Sequence, residues 1–223
     1  MKKIKTLVVK FENDLTPKMV PAFRGAIIEK VDRSHILFHH HTGDTEVLYK
    51  YPLIQYKSIG RKAGIICLGD GVGEMHRLFN QPNLNIKIHD NKTLLAIETL
   101  EMSSFELKMS NDNNKYKLVN WLGLNEANYK TFKELSFIED KIKLLEKTLK
   151  GNILSFAKGL EWSIEEEIKL QINEIKDQRI IRFKGRPMLV FDLYFEVNVK
   201  LPKYIGLGKS ASHGYGMINS INK

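Results

Sequence analysis

Apolar and polar positions alternate most strictly near the end of the chain. Leu189, Phe191, Leu193, Phe195, Val197 and Val199 hold every second position, so an extended segment there carries one continuous apolar face. IKTLVVKF (4–11), rich in β-branched residues, predicts a first strand. Helical spacing follows from Pro17 through Met19, Val20, Phe23, Ala26, Ile27 and Val31. HILFHHH (35–41) reads as extended and is closed by the turn signal Thr42-Gly43-Asp44. VLYKYPLIQYKSI (47–59), with Pro52 inside, predicts a strand near a sheet edge, and AGIICLG (63–69) a short buried one. GVGEMHRLFNQ (71–81) predicts a helix, and LNIKIHDNKTLLAIETL (84–100) a hairpin around Asp90-Asn91. The order β-α-β-β-α-β over these residues is the ferredoxin-like pattern.

NDNNK (111–115) is polar enough to serve as a linker, which divides the chain into domains 1–110 and 111–223. Beyond it, Ser136 and Glu139 form the pattern of a capping box for a helix ending near Gly151, and NILSFAKGLEW continues in helical style. Ile168, Leu170 and Ile172 alternate, so EEEIKLQINEIK and the RIIRF that follows predict strand rather than helix. Lys184-Gly185 separates that strand from the long alternating one, and GYGMINSI (214–221) supplies a last strand. The second half is therefore α+β as well, a second version of the same plan.

Charge narrows the partners. Thirty-five Lys and Arg stand against 26 Asp and Glu, a net +9, which favours a polyanion whose phosphates give sequence-independent affinity. Cys67 is the only cysteine, so neither a disulfide framework nor a cysteine-based zinc cluster is expected, and a reducing cytoplasm is the expected home. The opening MKKIKTLVVKFENDL has too short an apolar run for a signal peptide, and no stretch approaches the ~20 apolar residues of a membrane span.

GLGKSASHGYG (206–216) carries four glycines around Lys209 and His213. Gly208-Lys209-Ser210 ends like a P-loop, but the required first glycine is replaced by Lys203. Only 13 residues follow Ser210, and they are glycine-rich and strand-like, whereas a P-loop opens a helix. A nucleoside triphosphatase is excluded. What remains is a loop whose glycines allow bare backbone N–H groups to approach a phosphate chain.

Gly206, Leu207, Gly208, Lys209, Gly214, Tyr215 and Gly216, placed after a long alternating strand, resemble the glycine-rich loop of the RAMP superfamily of CRISPR-associated proteins. The chain is similar in particular to the endoribonucleases that cut precursor CRISPR RNA within its repeats, the family numbered six in the Cas series. FRGAI (23–27) and YKYPLIQYK (49–57) resemble segments of bacterial and type I-B-like members. The resemblance implies two tandem ferredoxin-like (RRM-like) domains with a C-terminal glycine-rich loop. It also implies metal-independent cleavage in which the ribose 2′-OH attacks the adjacent phosphorus, leaving a cyclic phosphate and a 5′-OH. No cofactor is implied. The expected partners are CRISPR repeat RNA, other Cas proteins of an effector complex and a second copy of the chain, with no membrane. SASH (210–213) holds fewer basic residues than family loops usually do, so Gly206, Gly208, Gly214 and Gly216, with Lys209 and His213, are expected to supply the grip.

The histidine-rich stretch is the leading candidate for the chemistry. If residues 35–41 are extended, His39 and His41 point the same way. One imidazole removes a proton from the nucleophile while a second protonates the leaving oxygen. Two histidines make an incomplete metal site, and ordinary surface histidines are the plain alternative. Active members of the family place histidine, lysine and tyrosine in this region, which puts His39 and His41 first, with His40 and His35 behind. By the same resemblance Lys30 stabilises the developing charge, and Tyr49 or Tyr51 orients the phosphate or nucleotide. Lys50 and Lys57, interleaved with tyrosines, and Arg182 and Arg186, beside the 184–185 turn, are the expected RNA-binding cations. A non-catalytic RAMP protein that holds CRISPR RNA as a structural subunit is the alternative.

Overall fold

The computed structural model describes residues 2–32, 35–39, 41–42, 46–47, 51–183 and 185–221, with the backbone alone at 39, 41–42 and 46–47. The chain forms two compact units, one of Met1–Glu106 with Ser212–Gly214, the other of Leu107–Ala211 with Tyr215–Lys223.

In the first unit, β1 (Lys2–Asp14) leads through a 3-10 turn at Pro17–Met19 into α1 (Val20–Val31). The short α2 (Ile36–His39), β2 (His41–Thr42) and β3 (Glu46–Val47) follow. Next come β4 (Ile54–Ile59), β5 (Lys62–Leu68), the short helices α3 (Asp70–Glu74) and α4 (His76–Phe79), the hairpin β6 (Asn85–Ile88) and β7 (Asn91–Leu94), and β8 (Ile97–Leu107). The main sheet has the order β4-β5-β1-β8. In order of succession those strands are second, third, first and fourth, which is the ferredoxin-like arrangement. Phe23 of α1 sits edge-on to both Phe11 and Tyr56, and all three rings are buried, so the helix is locked to its sheet by aromatic packing.

The second unit repeats the plan with β9 (Met109–Trp121), α5 (Glu126–Glu134), α6 (Ile138–Gly159), β10 (Leu170–Phe183), β11 (Arg186–Val199) and β12 (Met217–Ser220). Its sheet runs β10-β11-β9-β12, again second, third, first, fourth. Leu145, Leu149, Ile153 and Phe156 form the buried stripe of the 22-residue α6. Between its third and fourth strands no α-helix forms; that crossover is the glycine-rich loop with a single 3-10 turn at Ala211–His213. The fold is thus α+β with two ferredoxin-like domains.

Three expectations require correction. HILFHHH is not extended throughout. Ile36–His39 is a helical turn, in which the Phe38 N–H donates to His35 O at 3.0 Å and the Phe38 side chain is buried. A short apolar run fits a buried turn as well as a strand, so the alternation that aligned His39 with His41 does not apply. NDNNK is not a linker but lies inside β9, where Asn114 and Lys115 pair with Val197 and Glu196 of β11. This part of β9 runs past the end of β12, so its side chains face water and are polar for that reason. The capping box at Ser136 is also absent: α6 begins after Phe137 with no side-chain cap, and it runs through Gly151 to Gly159.

Candidate functional site

The glycine-rich loop leaves the second domain's sheet at Gly206, which bridges Met217, and returns at Gly216. The N–H of Leu207 donates to Gly216 O at 2.8 Å, that of Gly216 to Asn120 O at 3.0 Å and that of Lys209 to Leu122 O at 3.0 Å. These three N–H groups therefore hold the loop closed and are not available to a phosphate. Glycine is required at two of the positions on steric grounds. Gly216 has φ +62° and a Cβ there would lie 1.9 Å from Leu207 O; Gly208 has φ +85° and a Cβ would lie 2.7 Å from Trp121 Nε1. The loop's glycines thus act mainly by permitting this fold-back. Lys209 is exposed, and the half-buried His213 has its Nδ1 3.1 Å from Ser212 Oγ.

A polar network invisible in the sequence fixes the loop's anchor. Asn120 takes the left-handed conformation, φ +53°, which asparagine tolerates better than most residues. Its N–H donates to Asp192 Oδ1 at 2.6 Å, and its side-chain oxygen accepts from Arg179, whose guanidinium also meets Asp177 and lies 3.3 Å from Asp192 Oδ2. Tyr215 packs edge-on against Phe183 at 5.2 Å, joining the loop to the end of β10. Arg182 and Arg186 stand exposed at that same end, opposite each other's neighbours in the β10–β11 register.

Among the first-domain candidates, Lys30 lies in the last turn of α1 with Nζ 3.0 Å from Asn83 Oδ1. His35 Nε2 lies 3.4 Å from the Arg77 guanidinium, which in turn pairs with Glu74 at 2.6 Å. His39 closes α2, and His41 pairs with Val47 in the β2–β3 ladder. His40, Tyr49 and Lys50 lie outside the described residues. Lys57 is overturned as a surface cation: it is fully buried, as are Tyr56 and Gln55, because both faces of β4 are covered. Burial pushes the Lys57 pKa down to about 7. Tyr51 is buried too, which removes it and Tyr56 as stacking platforms. Among the described residues, no group of three or more His, Cys, Asp or Glu is placed to hold a metal ion, and no helix is long and apolar enough to cross a membrane.

Models of the Cas6b N-terminal domain and the Cas6b C-terminal domain match residues 2–106 and 108–221. The chain belongs to the Cas6b family. A protein of Methanocaldococcus jannaschii, itself uncharacterized, is 42% identical over 106 residues, which cover 47% of this chain and 70% of that protein. The crystal structure of a Cas6b matches with a TM-score of 0.90 at 26% identity, over 99% of this chain and 100% of the other. The crystal structure of a CRISPR RNA processing endoribonuclease Cas6b matches with a TM-score of 0.75 at 25% identity and the same coverage. The resemblance carried by the loop and by the segments at 23–27 and 49–57 therefore holds, and it resolves to Cas6b. In Cas6b terms, the histidine stretch belongs to the N-terminal domain and the glycine-rich loop to the C-terminal one.

Proposed function

We propose that this chain is an endoribonuclease that cleaves precursor CRISPR RNA within its repeats and needs no metal ion. The observation that carries this reading is the match of both halves to Cas6b domains, in a chain that keeps the histidine stretch and the closed glycine-rich loop. In the proposed reaction a neutral imidazole takes the proton from a ribose 2′-OH, and that oxygen attacks the adjacent phosphorus. The O2′–P bond forms as the P–O5′ bond breaks, and a protonated imidazole delivers its proton to O5′. A cyclic phosphate and a 5′-OH result, and no water is consumed. His39 and His41 take the two proton-transfer roles. The Lys30 ammonium stabilises charge on the phosphorane, and Tyr49 orients the phosphate.

Lys209 and His213 of the loop, with Lys50, Arg182 and Arg186, hold the repeat RNA, while Gly206, Gly208, Gly214 and Gly216 shape the loop that presents them. Other Cas proteins and a second copy of the chain are its protein partners.

The test is incubation with a repeat RNA in EDTA. The parent protein is expected to cleave, and His39→Ala and His41→Ala to lose on the order of 100-fold or more in rate. The rate should follow a bell-shaped pH profile with limbs on either side of about 6.5. If cleavage requires added divalent metal, or both variants cut at the parental rate, the mechanism is wrong. Tight RNA binding by the parent with no cleavage points instead to a non-catalytic RNA-binding subunit.

A further inference from the structure

Gly151 has no account in the fold. It lies well inside the 22-residue α6, where glycine costs ~1 kcal/mol relative to alanine. Its φ is ordinary and a Cβ there would meet nothing within 4 Å. Neither backbone conformation nor packing demands it. Gly151 instead borders a cavity of about 460 Å³ in the second domain, formed by α6, the start of α5 and the beginning of the glycine-rich loop. Two other glycines line the same cavity, Gly123 and Gly208, and both are explained by close approach to the Trp121 ring. Gly151 has no such neighbour, and its missing side chain leaves that side of the cavity open.

The lining chemistry is one-sided. Lys147 and Lys209 line the cavity, and none of the described residues lining it is acidic. The remaining polar groups are mostly amides. Asn152 Oδ1 accepts from Trp121 Nε1 at 2.9 Å, which fixes the side chain and leaves its NH2 as a donor, and the Asn128 amide also borders the space. Thr148 directs its hydroxyl proton to Leu144 O at 2.7 Å, so its oxygen remains an acceptor. Two cations, preset amide donors, one hydroxyl acceptor and the apolar Leu144 side chain match a nucleotide. The volume falls in the range of roughly 300–1,000 Å³ usual for small-ligand sites.

We propose that this cavity binds a nucleotide phosphate, with Lys147 and Lys209 on the phosphate and Asn128 and Asn152 hydrogen-bonded to the sugar or base. The phosphate is that of an unpaired nucleotide in the repeat RNA, an assignment that rests on the RNA-processing reading above; a free mononucleotide carries the same chemistry. Lys209 then works on the helical side of the second domain, together with Lys147 of α6.

The experiment uses the full chain and a repeat RNA made uncleavable by a 2′-deoxy substitution at the cut position. Lys147→Ala and Gly151→Leu are each expected to weaken binding by roughly tenfold, the worth of one charge-assisted contact. Gly151→Leu fills the cavity with a better helix former, and melting curves check that both variants fold. Lys147→Ala should also reduce the slope of log K against log salt by about 0.7. Lys143→Ala, on the same helix but outside the cavity, should bind as the parent does. Parental binding by both cavity variants, or equal weakening by Lys143→Ala, overturns the proposal and leaves the endoribonuclease reading intact. If the parent binds no repeat RNA, the RNA reading fails instead. Titration with AMP then decides: AMP binding that Gly151→Leu abolishes keeps the cavity as a free-nucleotide site, and no AMP binding overturns it.

Discussion

The two domains use one strand order to opposite ends. In the first, the path from third to fourth strand carries two short helices and a hairpin, with Leu78 and Ile86 buried beneath them. In the second, the same path is the glycine-rich loop, tied to itself and to the end of β9 by three backbone hydrogen bonds. A four-stranded antiparallel sheet needs only that its last strand return beside the first. The connection is free to pack a core in one domain and to present Lys209 and His213 in the other.

The largest effect that separates the two crossovers should come from glycine replacement. Gly216→Ala puts a Cβ against Leu207 O in a left-handed backbone, and we expect a loss of roughly 3 kcal/mol or more in stability, with cleavage falling in parallel. Gly73→Ala, in the first-domain crossover, meets open space in an ordinary helix, and urea melts should show it neutral or slightly stabilised. Equal losses at the two sites would mean that the second crossover is no more constrained than the first.

Lys57 tests the first domain's sheet. Its folded pKa of about 7 lies below the unfolded value near 10.5, so the unfolded chain holds the extra proton between those values. Stability therefore rises with pH through that window and is lowest, and flat on this account, below pH 7. Lys57→Met should stabilise by an amount on the order of a few kcal/mol at pH 6.5, with the gain shrinking toward pH 10. A gain that does not change between melts at pH 6.5 and 9.5 would show that the proton is not involved. The smallest effect belongs to Arg179→Ala. It removes a partly exposed network around Asn120 and should cost about 1 kcal/mol, yet lower RNA affinity more than Lys176→Ala, which removes a cation from the same strand.

Periodicity made most of this architecture legible. The β-branched run of β1, the alternation in β10 and β11 and the helical spacing of α1 and α6 predict the first repeat of the plan and most of the second. What escaped has identifiable causes. Only Phe132 of α5 is buried, so that helix leaves no apolar stripe, although Asn125 does cap it by accepting from the Asn128 N–H. β9 looks like a linker where it outruns its neighbour, and Ile36–His39 is too short for its period to show. Lys57 misled for another reason. Alternating polar residues predict a wet face only when one side of the sheet meets water, and both sides of β4 are buried. The loop's glycines were legible as a motif, but their role in folding the loop back on Asn120 and Trp121 depends on contacts distant in sequence.

Trp121 touches the place where the loop departs, lies fully buried, and is one of only two tryptophans. With Trp162 replaced by phenylalanine, its emission becomes a single optical signal from the loop's anchor. The fold has placed an intrinsic fluorophore where the seating of the glycine-rich loop can be followed in real time, with no label attached to protein or RNA.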